Sequence, residues 1–313
     1  NMHARKWLSN STEVLQRIPE EDRAAEIDLQ SGEFPSVKAL GVLWKAKDDY
    51  FTFKEQELEQ PTTTHTKRSF LKKLAAIFDP LGFLAPYVIC GKMLLQEVWV
   101  TGLDWDEPLP YELSRKIDDW YQDLVNLPLL KVPRCLQYPE ESVNVSLQVF
   151  NDASEKAYGS AIYQRTVYNN GKISARLVMS KSKVAPLQST SIPRLELMSA
   201  VLGLRVAKKV TATFGMEIKD VTFWCDNSNV LWWIRGMSRN FKPFVANRVS
   251  EIQSNSNPIQ WRYVPTNMNS SDLTTQGSRL HRLMEGTFWL EGPEFLTKDE
   301  DQWPMRKIKA PEI

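Results

Sequence analysis

Between residues 143 and 225 the chain runs through three strand-like stretches, switches to a helical period and then returns to a strand. Few folds accommodate that order. Val143, Val145, Leu147 and Val149 occupy every second position, as a strand with one buried face requires, and lead straight into Asn151-Asp152. Residues 158–163 predict a second short strand. Ile173, Ala175, Leu177 and Met179 alternate as a third, joined to it through Asn169-Asn170-Gly171, residue types that suit a tight hairpin turn. Sequential strands with such short connections imply an antiparallel meander. From Pro193 the spacing changes: Leu195, Met198, Leu202, Val206 and Val210 fall at helical intervals, Pro193 suits the first turn, and Thr190 or Ser191 is available as a cap. Val221, Phe223 and Cys225 predict a fourth strand, residues 227–235 a short helix closed by Gly236, and Ile259, Trp261 and Tyr263 a fifth strand. Ser270-Ser271-Asp272 then resembles the capped start of a further helix.

The first third mixes strand and helix signals. Residues 39–44 and 50–53 predict a hairpin around KAKDD. After PTTTHT, a helix is expected with Leu71, Leu74 and Phe78 on its apolar face and Arg68, Lys72 and Lys73 on others, ending at Asp79-Pro80. Residues 93–100 and 111–125 predict two more helices. The segment NLPLLKVPRCLQYPEE holds three prolines and suits a linker, so a boundary is placed near residue 138. The 313 residues then divide into 1–138, 139–300 and a tail at 301–313, in keeping with the length of about two domains.

Composition narrows the function classes. Thirty-nine Lys and Arg against thirty-eight Asp and Glu leave a net charge of +1, so any grip on a polyanion must come from a local patch. No apolar run is long enough to span a membrane and residues 1–10 do not read as a signal peptide, so a soluble intracellular chain, cytoplasmic or nuclear, is expected with no membrane partner. Cys90, Cys135 and Cys225 lie far apart and only three histidines occur, which argues against a disulfide framework and against a Cys/His zinc site. Neither Asp-Thr-Gly nor Asp-Ser-Gly occurs, which excludes an aspartic peptidase, and no Tyr-x-Asp-Asp motif supports polymerisation by this chain alone.

Four carboxylates recur at comparable topological places: Asp152 at the end of the first strand, Glu196 in the first turns of the long helix, Asp226 at the end of the fourth strand and Asp272 opening a helix after the fifth. Ends of neighbouring central strands converge at one sheet edge. Clustered carboxylates repel unless a cation neutralises them, and hard oxygen donors suit Mg²⁺ or Mn²⁺. Such a centre fits two-metal hydrolysis of a phosphodiester.

The element order and these four residues resemble the ribonuclease H fold and its Asp-Glu-Asp-Asp site. Longer stretches are similar to the polyprotein of BEL/Pao-type LTR retrotransposons, from just after the polymerase palm through the ribonuclease H region. Among them are RKWLSNSTEVLQRIPEEDRA, KRSFLKKLAAIFDPLGFLAPYVI, FNDASEKAYGSAIY, SKSKVAPLQSTSIPRLELMSAVLG, FWCDNSNVLWWIRG and VPTNMNSSDLTTQG. The resemblance covers nearly the whole chain. It implies an α/β, ribonuclease H-like five-stranded mixed sheet with flanking helices, preceded by a mainly helical α+β domain like the thumb and connection of a reverse transcriptase. It further implies that Asp152 of the DAS motif, Glu196 of IPRLEL, Asp226 of W-x-D and Asp272 of N-x-x-D-L are both catalytic and metal-binding. The implied cofactor is Mg²⁺, with Mn²⁺ as a substitute. The implied substrate is an RNA–DNA hybrid, and the implied partners are the polymerase palm and fingers of the same polyprotein. Two positions depart from the family pattern: Gln276 stands where an Arg is expected, and Asn151 where relatives carry an apolar or small residue.

Further candidates have two readings each. Lys67, Arg68, Lys72 and Lys73 are either a solvated helix face or a duplex contact, and Lys181, Lys183 and Arg194 flank the long helix as phosphate-binding candidates. Of Trp232 and Trp233, one is expected in the core and the other partly exposed. His281 follows Asp272 rather than preceding it, which argues against a role in product release. The alternative to a nuclease is a domesticated or catalytically silent module that binds nucleic acid or protein.

Overall fold

A computed structural model describes residues 3–24, 36–39, 42–54 and 64–308. Helix α1 (Thr12–Gln16) starts at Ser11, and strands β1 (Ser36–Ala39), β2 (Val42–Lys45) and β3 (Tyr50–Thr52) follow as an antiparallel set. The strand expected over 39–44 is therefore divided: Ala39 ends β1 and pairs with Val42 at the start of β2, while residues 40 and 41 lie outside the described residues. Helix α2 (Lys67–Ala75) is closed by a reciprocal cap in which Thr66 and Ser69 each bond the other's backbone N–H. It stops before Phe78, which is exposed, so Phe70 and Leu74 form the buried face instead of the expected Leu71, Leu74 and Phe78. Helix α3 (Ala85–Val100) begins eight residues earlier than expected because it is apolar on nearly every side, which hides a helical period. Helix α4 (Tyr111–Gln122) passes into 3-10 turns over 123–129, and β4 (Val132–Pro133) adds to β3 to complete a sheet in the order β1-β2-β3-β4.

The second sheet is the larger. Strands β5 (Ser142–Ala153), β6 (Ala157–Tyr168) and β7 (Ile173–Val184) form the expected antiparallel meander, and Gly171 turns the second hairpin at φ +80°, open to glycine without strain. The long helix α5 (Ile192–Phe214) crosses over, and β8 (Val221–Cys225) returns parallel to β5. Helices α6 (Ser228–Arg235) and α7 (Pro243–Asn255) lead to β9 (Trp261–Tyr263), parallel to β8. The strand order is β7-β6-β5-β8-β9, two antiparallel pairings followed by two parallel ones. The fifth strand is shorter than expected, since Ile259 lies in a 3-10 turn and is exposed. Short helices α8 (Leu273–Gln276), α9 (Leu280–Met284) and α10 (Phe288–Glu291) complete the fold; Asp272 stands at the N-cap of α8, and the Asn269 side chain caps the 3-10 turn over 270–272 that precedes it.

Both faces of this sheet are covered. Leu147, Val149, Phe223 and Cys225 pack with α5, α6 and α7 in one core. Phe150, Tyr163, Leu177 and Trp224 join Phe70, Tyr87 and Trp120 of the N-terminal helices, and Trp289 and Trp303 near the C-terminus, in another. Accordingly β5 is buried at every position from Leu147 to Ala153, whereas a single buried face was expected, and Val143 at its solvent end is exposed. Residues on both sides of position 138 share this second core, and Trp303 is buried in it. Among the described residues no helix is long and apolar enough to cross a membrane.

Candidate active site

The parallel pairing of β5 with β8 aligns their ends: Asn151 stands opposite Cys225, so Asp152 and Asp226 leave adjacent strands at the same edge. Helix α5 brings Glu196 to that edge from one side. The approach is close because Gly203 has no side chain: a β-carbon there would collide with Asn151 and Ser160 of the sheet. Ser199, one turn beyond Glu196, accepts from the Asp152 backbone N–H at 2.9 Å and donates to the Gly159 carbonyl, locking the helix to β5 and β6. The 3-10 turn over 270–272 supplies Asp272, and bare Gly159 lets the following Thr274 pack onto β6. Four separate segments thus bring Asp152, Glu196, Asp226 and Asp272 within electrostatic reach of one another.

The carboxylates differ in surroundings. Asp152 is buried; the Thr275 hydroxyl donates to its Oδ2, and Asn269 Nδ2 lies 3.5 Å from its Oδ1 and 3.0 Å from the Asn151 carbonyl. Burial, with Asp226 and Asp272 nearby, pushes its carboxyl up to about 7. Glu196 is only 4% exposed, its Oε2 has no hydrogen-bond partner among the described residues, and burial together with Asp152 and Asp226 raises it to about 10. Half-buried Asp226 accepts from the Thr266 hydroxyl at 2.8 Å, and burial raises its pKa. Half-buried Asp272 is raised by burial and then by Asp226, against a hydrogen bond with Gln276, so the residue standing in place of the expected Arg makes a neutral contact here. One oxygen each from Glu196 and Asp226 and the Cys225 sulfur lie within 4.8 Å of one another.

Sequence reasoning missed Ser199, Thr266, Asn269, Thr275 and Cys225. Only Asn269 carries a local signal, three residues before Asp272. Asn151 acquires a role: fully buried, it donates to the Trp224 carbonyl at 3.2 Å and ties β5 to β8.

The basic candidates separate. Lys181 and Lys183 are exposed on edge strand β7; Lys183 shares a groove with Tyr158, Arg205 and Arg248, and Lys181 one with Lys92 and Lys209. Arg194 is exposed in the first turn of α5, 5.2 Å from the Phe244 ring. Lys67 cannot serve as a surface contact as proposed from sequence: it is buried, bonded to the Leu103 carbonyl and set over Trp99, because the first turn of α2 packs inward. Arg68 is exposed but forms a two-pronged pair with Asp106, Lys73 lies 4.1 Å from the Tyr121 ring, and Lys72 is exposed. Trp232 packs edge-on against Phe241 and Trp233 against the α5 core, both half-buried. His281 lies 3.8 Å from Asp123.

A five-stranded sheet of this order and direction, with a long helix crossing between its third and fourth strands, defines a ribonuclease H-like fold. The model of the Pao retrotransposon-like RNaseH-like domain matches residues 66–227, just over half of the chain, so this chain belongs to that family and has the expected BEL/Pao-type affiliation. The match contains Asp152, Glu196 and Asp226. No curated protein matches the sequence. Solved structures it is similar to include the N-terminal RNase H domain of rv2228c from Mycobacterium tuberculosis, solved as a maltose-binding-protein fusion (11% identity, 42% of this chain and 91% of that chain, TM-score 0.29). Another is LC11-RNase H1, isolated from compost by a metagenomic approach, solved in complex with RNA/DNA hybrid (12% identity, 45% and 99%, TM-score 0.29). RNase H1 from Halobacterium salinarum is a third (13% identity, 41% and 89%, TM-score 0.25). The class rests on strand order and direction, not on these likenesses.

Proposed function

We propose that this chain hydrolyses the RNA strand of RNA–DNA hybrids, leaving 3′-hydroxyl and 5′-phosphate ends, with Asp152, Glu196, Asp226 and Asp272 as its catalytic and metal-holding residues. The observation that carries this reading is the convergence of four carboxylates from four segments at one edge of the sheet, with Glu196 Oε2 buried and without a partner among the described residues. A buried oxygen without a donor is costly, and a hard divalent cation satisfies it, so the donor set fits Mg²⁺ or Mn²⁺. Such ions would supply a hydroxide nucleophile and offset charge on the leaving oxygen. The chain's own part is positional: Thr275 and Asn269 hold Asp152, Thr266 holds Asp226, and Ser199 fixes the turn of α5 that bears Glu196.

Exposed Lys181, Lys183 and Arg194, joined by Arg205 and Arg248, are the candidate phosphate contacts. The region before residue 139 acts in this reading as a thumb- and connection-like support for the duplex, and the palm and fingers of a full polyprotein would supply polymerisation. The test is incubation of the purified chain with labelled RNA–DNA hybrid, duplex DNA and duplex RNA, with and without Mg²⁺. Cleavage confined to the RNA of the hybrid and dependent on the ion is expected. Binding without cutting at any Mg²⁺ or Mn²⁺ concentration would reverse the conclusion in favour of a silent binding module.

A further inference from the structure

Cys225 occupies an apolar position in the alternation of β8, and nothing in its local sequence marks it. The fold gives it different company. It lies on the face of β8 that meets α5, and its sulfur is within 4.8 Å of one oxygen each of Glu196 and Asp226. Its only hydrogen-bond partner among the described residues is the Asn227 carbonyl, at a long 3.8 Å. An unsatisfied group also points to a ligand at this place: Glu196 Oε2 is buried without a hydrogen-bond partner among the described residues. Asp152 is not part of this trio.

Two carboxylate oxygens and one sulfur are a poor set for Mg²⁺, which favours six oxygen donors in a regular octahedron, and a good set for a thiophilic ion in a four-coordinate site. Bonds of about 2.0–2.3 Å would hold the three donors roughly 3.5 Å from one another, inside the 4.8 Å that bounds their separations. We propose that Glu196, Cys225 and Asp226 form a mixed oxygen–sulfur pocket for a thiophilic divalent cation, Zn²⁺ or Cd²⁺, which competes with Mg²⁺ for the two carboxylates. When the soft ion binds, the Cys225 thiol proton and the Glu196 carboxyl proton both pass to solvent. The consequence for hydrolysis, inhibition by the soft ion, rests on the nuclease reading above; the pocket itself does not.

The experiment is titration of the purified full chain with Cd²⁺, followed by the sulfur-to-cadmium charge-transfer band in the ultraviolet. The band should saturate at one ion per chain, vanish in Cys225→Ser and in Cys225→Ala, and persist in Cys135→Ser, which removes the exposed thiol. Glu196→Gln should weaken Cd²⁺ affinity by about tenfold or more, as loss of a partner at a metal site commonly does. Excess Mg²⁺ should lower the apparent Cd²⁺ affinity of the wild type. Melting curves confirm that each variant is folded, and the two Cys225 variants guard against misfolding of either one. No band in the wild type, a band that survives both Cys225 variants, or one abolished by Cys135→Ser overturns the proposal. If the chain cuts hybrid, Cd²⁺ should inhibit the wild type at about tenfold lower concentration than Cys225→Ser, each measured against its own uninhibited rate. If it does not cut, the band alone still decides the pocket, so the two readings fail separately.

Discussion

Replacing Glu196 by Gln should stabilise the cation-free protein, by an amount that grows with pH. The carboxyl titrates near 4.5 when unfolded and is pushed up to about 10 in the fold, by burial first and by Asp152 and Asp226 second. Between those values the native chain holds a proton that the unfolded chain has released, so native stability is greatest below 4.5 and is lost as pH rises toward 10. At pH 7.5 the gap from 4.5 is three units, which at about 1.4 kcal/mol per unit is a penalty of about 4 kcal/mol. Water penetration and relaxation reduce such costs, and halving it leaves about 2 kcal/mol. For a chain of 313 residues that is a rise of about 3 °C in melting temperature. The assay is thermal unfolding of both proteins in EDTA from pH 4.5 to 9. The curves should coincide at the acidic end and diverge upward, with the variant more stable. Mg²⁺ should then raise the wild-type melting temperature and leave the variant nearly unmoved, since an ion stabilises only the state that binds it. A gap that does not change with pH, or a variant that melts below the wild type throughout, would refute the burial argument.

Asp152→Asn combined with Asp226→Asn should abolish both the Mg²⁺ isotherm by calorimetry and hybrid cleavage; an unchanged isotherm would move the metal centre elsewhere. Ser199→Ala should cost about 1–3 kcal/mol in urea unfolding, because the Asp152 N–H loses a buried partner, and should lower cleavage further by loosening the turn that carries Glu196. Lys183→Ala with Arg194→Ala should reduce the log-log salt slope of hybrid binding by about one for each phosphate left unneutralised, whereas Lys67→Ala should lower stability and leave that slope alone. Trp120→Ala, in the core shared by the N-terminal helices and the sheet, should cost about 3–5 kcal/mol and disturb the packing of Tyr87, which stacks on it.

Most of the larger sheet was legible from residue order alone. The alternation at 173–179, the Asn-Asn-Gly turn and the change of period at Pro193 are local consequences of backbone geometry, which repeats every two residues in a strand and every 3.6 in a helix. Asp152 and Asp226 were legible as strand-end residues for the same reason. Helix α3 was only half visible because an element apolar on all sides has no polar face to set its period. Phe78 was misplaced because one more turn of α2 would satisfy the pattern equally well, and the spacing alone does not say where the helix stops.

What the sequence by itself determined is therefore the kind and order of elements from residue 142 to Gly236, the strand at Trp261 and the four acidic positions, whereas helices α7, α9 and α10 were not read from it. Tertiary structure alone decided which of those acids is buried. Glu196 reads as a first-turn surface residue, yet Gly203 and Ser199 draw α5 so close to the sheet that its carboxyl loses water. The same packing turns Lys67 inward, brings Thr275 to Asp152 across 123 positions of chain, and sets the Cys225 sulfur beside Glu196. The reason is physical: periodicity records which face of an element is apolar, whereas solvation and pKa depend on every atom packed against a group, and most of those atoms belong to residues distant in sequence.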